Sequence, residues 1–80
     1  MANGIKIRFD DDESLVFYDW LASQDFLSYP VVPDEATLKI LWGIESIFES
    51  KLVVTFLPEY KDELKKAKDR IVAEGALKNQ

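Results

Sequence analysis

The 80-residue chain contains no cysteine and no histidine. Without cysteine there is no disulfide framework, no thiolate metal site and no thiol nucleophile. Without histidine the commonest general base near neutral pH is missing, and zinc loses its usual ligands. Glycine and proline number three each, too few for a low-complexity linker. No run of about 18 apolar residues offers a membrane span, and no basic-then-apolar leader opens the chain, so the expectation is a soluble, cytoplasmic protein that does not touch a membrane. Chemistry is left to Asp, Glu, Lys, Tyr and Ser. No pair of these is arranged as a recognisable acid-base couple, so the chain is expected to be non-enzymatic, with no cofactor and no catalytic or metal-binding residue.

What is present is a folded composition: 48% hydrophobic, 31% charged and ten aromatic residues, two of them Trp. The length allows one domain, 1–80, with 1–3 and 76–80 expected to fray. A chain of this size buries only about 60% of its unfolded surface, so nearly every large apolar side chain is needed inside. The net charge of −5 is uneven. Residues 1–50 hold ten acids against Lys6, Arg8 and Lys39, a net of −7, and residues 51–80 hold seven bases against five acids, a net of +2. Binding to a polyanion rests on Lys and Arg, so the acidic part argues against direct nucleic-acid binding and for a basic protein surface as partner.

Ile5-Lys6-Ile7-Arg8-Phe9 alternates apolar and basic residues, the period of a strand with one wet face. Asp10 and Glu13 then have the spacing of a capping box, predicting a helix from about Asp12 to Ser23. On a helical wheel Val16, Phe17, Trp20 and Leu21 share one face, read as the core side, and Leu15, Tyr18 and Ala22 fall opposite. A hairpin that folds Ser14–Tyr18 back on Ile5–Phe9 competes with the helix, but no Gly or Asn stands where a tight turn needs positive φ. Residues 24–33 read as an extended connection, with a short edge strand around Val31 and Val32.

Pro33-Asp34-Glu35 opens a second helix running to about Glu49, with Ala36, Ile40, Leu41, Ile44, Ile47 and Phe48 as its expected buried stripe and Leu38 and Trp42 at the margin. Leu52–Phe56 is a compact β-branched run that reads as a buried strand. Pro58 begins a last helix to about Glu74, which buries a narrow stripe of Tyr60, Leu64, Ala67 and Ile71 and stops at Gly75. The expected fold is therefore α/β in the two-layer sense, two or three short strands covered by three helices in the order β-α-(β)-α-β-α.

Asp10, Asp11, Asp12 and Glu13 are consecutive, without the alternate spacing and the following glycine of a calcium loop, and are read as a helix start that also advertises charge. Ten large rings are hard to hide in so small a domain, and partly exposed Tyr and Trp beside acids are side chains that dominate protein interfaces. The expected contact surface is Asp10, Asp11, Asp12, Leu15, Tyr18, Asp19, Ala22, Trp42 and Glu45. The expected function is that of a protein-binding module, an adaptor or inhibitor of another protein complex of the kind that phages and mobile elements often encode. Two alternatives stand beside it: a nucleic-acid mimic that fills the basic groove of a DNA- or RNA-binding protein, and an obligate homodimer with a ligand site between subunits.

Overall fold

A computed structural model of the chain describes residues 4–52, 58–78 and 80. The described residues form three helices, α1 (Asp11–Ala22), α2 (Glu35–Lys51) and α3 (Tyr60–Glu74), and a 3₁₀ turn at Phe26–Ser28. Among the described residues there is no strand, so the α/β expectation is overturned. A period-two pattern makes a strand only where a neighbour supplies hydrogen bonds, and among the described residues none pairs with Ile5–Phe9 in a ladder. The Arg8 backbone instead meets the Gln80 side-chain amide, donating to Oε1 at 3.2 Å and accepting from Nε2 at 2.9 Å. Ile5 and Ile7 stay exposed, as do Val31 and Val32, which join no ladder. Leu52 caps α2 in extended geometry, and the rest of the expected third strand, residues 53–56, lies outside the described residues.

The helix ends follow local chemistry. The Asp10–Glu13 capping box is formed, which selects the helix over the hairpin. Asp34 caps α2 by accepting from the Thr37 N–H at 2.8 Å. Gly75 follows α3 with φ at 93°, a conformation that glycine adopts without strain.

Helix α1 is the shared element, with α2 packed on one flank and α3 on another. Both run antiparallel to it. On the α2 side, Leu38 near the start of that helix joins Leu21 in the core, and Phe48 near its end meets Phe17. On the α3 side, Tyr60 reaches Asp19 and Arg70 reaches Asp12. Leu21, Phe26 and Leu38 form the buried cluster, supported by Phe17, Tyr29, Leu41 and Ile44. Fully burying a Leu or Phe contributes about 1.5–3 kcal/mol, so this small cluster is a main source of stability. Ala67 is fully buried on the face of α3 that carries Tyr60 and Arg70, where its small side chain lets that helix approach α1.

The inward faces differ from the wheel reading. In α1, Leu15 is 4% exposed and Trp20 48%, the reverse of the expectation that put Trp20 in the core and Leu15 on the surface. The residues that bond α3, Asp12 and Asp19, are seven apart, and Leu15 lies between them on the same face. In α2, Leu38 is buried and Leu41, Ile44 and Phe48 are half-buried, whereas Ala36, Ile40 and Ile47 point to solvent. Both helices are apolar on more than one side, so the wheel alone does not choose the inner one.

The result is an open molecule. The chain exposes 6382 Å², about 1,400 Å² more than the size relation gives for a compact monomer of 9.2 kDa. Its Cα radius of gyration is 14.3 Å, against about 11.6 Å for a compact domain of this length.

Candidate functional site

Two consecutive residues of α1 tie it to both partner helices. The Tyr18 hydroxyl donates to Glu49 Oε1 of α2 at 3.3 Å, and Asp19 Oδ1 accepts from the Tyr60 hydroxyl of α3 at 2.6 Å. Tyr18 therefore marks the seam between α2 and α3. On α2, Trp42, Glu45 and Glu49 recur at i, i+3 and i+7, which places them on one helix face. Because Glu49 meets Tyr18, that face forms one wall of the seam, and Tyr18, Asp19 and Tyr60 supply the floor and the other wall. Trp42, two turns before Glu49 on that face, is 47% exposed.

The electrostatics of the seam are one-sided. Burial pushes the Tyr18 phenol above its ordinary value, and Glu49 and Glu45 push it further. Tyr60 is raised more strongly, first by burial, then by its hydrogen bond to Asp19 and the charges of Asp19 and Tyr18. Glu45 is raised too, by burial and then by Glu49. Among the described residues the ion pairs are Lys65–Asp69, Lys66–Glu63 and Arg70–Asp12, so Asp19, Glu45 and Glu49 have no cation beside them. The two phenols stay protonated and act as hydrogen-bond donors, which holds the carboxylates in place without neutralising them.

The acids at the start of α1 are mostly committed to structure. Asp10 accepts from the Glu13 N–H at 2.8 Å, and Glu13 accepts from the Asp10 N–H at 2.9 Å. The second Glu13 oxygen accepts from the Leu77 N–H, which fastens the segment after α3 to the start of α1. Asp12 receives both Nε and Nη2 of Arg70, at 2.6 and 2.7 Å. The bidentate guanidinium holds the Asp12 carboxyl below its ordinary range, against a smaller opposing effect of burial. Asp11 is exposed beside them. A cleft of about 170 Å³ opens here between Asp12, Glu13, Arg70 and Gly75, but its main polar groups are already satisfied by one another. Among the described residues no group of three potential ligands is arranged for a metal ion.

A second aromatic surface lies on the other side of α1. Phe9 stacks on Phe17 with centroids 5.7 Å apart, Phe17 on Trp20 at 6.2 Å, and Trp20 meets Phe26 edge-on at 6.3 Å. Phe48 closes against both Phe9 and Phe17. Trp20 is the exposed member of this row.

Of the residues that the sequence singles out, the structure brings together Tyr18, Asp19 and Glu45, and Trp42 shares with Glu45 one face of α2. Asp10, Asp11 and Asp12 lie two turns away along α1, Leu15 is beneath α3, and Ala22 is exposed at the end of α1. Glu49 and Tyr60 were not singled out for the site. The spacing of Glu49 from Trp42 and Glu45 was a visible signal, whereas Tyr60 shows only as part of an apolar stripe. Comparison with protein-family models, with curated proteins and with solved structures gives no match.

Proposed function

We propose that the chain is a non-enzymatic, cytoplasmic protein-binding module, an adaptor or inhibitor, that receives a basic side chain of another protein in the seam between α2 and α3. The observation that carries this reading is the set of three carboxylates, Asp19, Glu45 and Glu49, which have no cation beside them among the described residues, with the half-exposed Trp42 on the same face of α2 as the two glutamates. An incoming Lys or Arg would supply the missing charge and lay its cation on the indole face, a contact of about 0.5–2 kcal/mol. Partial burial of Glu45 means that such a pair is screened less by salt than a fully exposed one. The raised phenols support a binding role, because Tyr18 and Tyr60 are held as donors and not poised as bases near neutral pH.

The mimic reading is weaker, because it asks for free acids spread over one face, and Asp12 is neutralised by Arg70. Titration with a short Arg-rich peptide, followed by NMR of the Trp42 indole and the Glu45 and Glu49 amides, tests the proposal. Saturable shifts confined to the seam and abolished in Glu45→Gln/Glu49→Gln are expected. No shift at the seam, or shifts equal in the double variant, would remove its basis.

A further inference from the structure

The outer face of α2 carries an apolar stripe that none of the described residues covers. Ala36, Ile40, Gly43 and Ile47 recur at i, i+4, i+7 and i+11, the spacing of a helix-packing seam. Ile40 is 63% exposed and Ile47 59%, and a Cβ built at Gly43 meets no atom within 4 Å. The inner face of the same helix is already used by Leu38, Leu41 and Ile44 in the core cluster. We propose that this stripe is the interface of a two-fold homodimer in which α2 packs antiparallel against α2 of a second copy. The proposal is independent of the seam, which lies on a different side of α2.

Three features point to a second copy as the occupant. The first is position: Gly43 is the ninth of the seventeen residues of α2. A two-fold axis beside it sets the two glycines together at the crossing and brings Ile40 of each copy to the level of Ile47 of the other, so the stripe is complementary to itself, as an isologous interface requires. The absence of a side chain at the crossing lets the helix axes come close, which gives the mid-helix glycine a role that its helix propensity does not.

The second feature is area. The chain exposes about 1,400 Å² more than a compact monomer of its size, and Ile40 and Ile47 of the stripe are among the large apolar side chains left in that uncovered surface. The third is charge. The chain is net −5, and two copies repel wherever acids face acids. The stripe bears no carboxylate, and the charged residues flanking it in its outer arc are Lys39 and Lys51, whereas Glu45 and Glu49 lie around the helix on the seam side. Contact through α2 therefore keeps the acidic regions apart and leaves both seams open, each copy presenting its own.

The chain has no cysteine, so single-cysteine variants report the geometry directly. Gly43→Cys is expected to form an intermolecular disulfide rapidly under mild oxidation, and Val72→Cys, on the exposed side of α3, to remain mostly monomeric. Sedimentation of the unmodified protein is expected to give twice the 9.2 kDa chain mass. Ile40→Asp/Ile47→Asp is expected to raise the dimer dissociation constant more than about tenfold while the circular dichroism keeps its helical shape; both side chains are exposed, so the fold survives. A monomer at every accessible concentration would overturn the proposal. So would a dimer that persists in the double variant, or one that cross-links no faster at position 43 than at 72.

Discussion

Tyr60 shows how one side chain sets both a contact and a pH response. Its hydroxyl gives Asp19 a donor at 2.6 Å in a half-buried site. Tyr60→Phe keeps the ring and strands the carboxylate, so a loss of about 1–2 kcal/mol is expected in urea denaturation at pH 7. The raised phenol adds a second signature. A group whose pKa is higher in the folded state contributes stability that is complete below its unfolded value of 10.0 and declines as pH climbs above it. The stability difference between wild type and Tyr60→Phe should therefore shrink above pH 10, and a constant difference would contradict the buried phenol. Asp12 behaves in the opposite sense. Its carboxyl is lowered from 3.8 by Arg70, so its contribution is complete above that value and declines as pH falls further. Asp12→Asn should flatten the acid limb of the stability curve below about pH 4 and leave its slope near neutrality unchanged. Among the described residues Leu21 is the largest fully buried side chain, and Leu21→Ala is expected to lose about 3 kcal/mol by thermal or urea melting, a large share of the stability of so small a domain.

At the scale of elements, legibility follows the range of the interactions. The caps at Asp10, Glu13 and Gly75 could be read in advance because each is decided within four residues. The choice of inner face was not legible. Leu15 and Trp20 both lie in an apolar helix, and only the arrival of α3 across Asp12 and Asp19 shows which is covered. Ile5–Phe9 misled in another way, since alternation describes how a segment could sit in a sheet but does not supply the neighbouring strand. The seam was half visible: Tyr18 and Asp19 were legible as aromatic beside acid, but their partners Glu49 and Tyr60 are 31 and 41 residues away. Helix α2 yields a prediction of its own. Gly43 is helical, exposed and unobstructed, so Gly43→Ala should stabilise the fold by about 0.5–1 kcal/mol at protein concentrations too low for association, measured by urea denaturation. No gain there would mean that the helix pays some other cost at that position.

At the scale of the whole molecule, openness and architecture have one origin. A helix clasped on two flanks leaves the outer sides of its neighbours uncovered, and among the described residues no further layer closes them. Ile40 and Ile47 on α2 and Val72 on α3 are exposed for this reason.

The clasp between α1 and α3 also dictates an order of assembly. Phe17 and Phe48 are separated by 31 residues and Leu21 and Leu38 by fewer, whereas Asp12 and Arg70 are 58 apart. Closing the shorter loop costs less chain entropy, so the α1–α2 hairpin is expected to form the folding nucleus, with α3 docking after the rate-limiting barrier. In stopped-flow chevrons, Leu38→Ala should slow refolding, whereas Ala67→Gly should act mainly by speeding unfolding. Of the three helices, α3 would then be the first to detach from the native protein and the last to return.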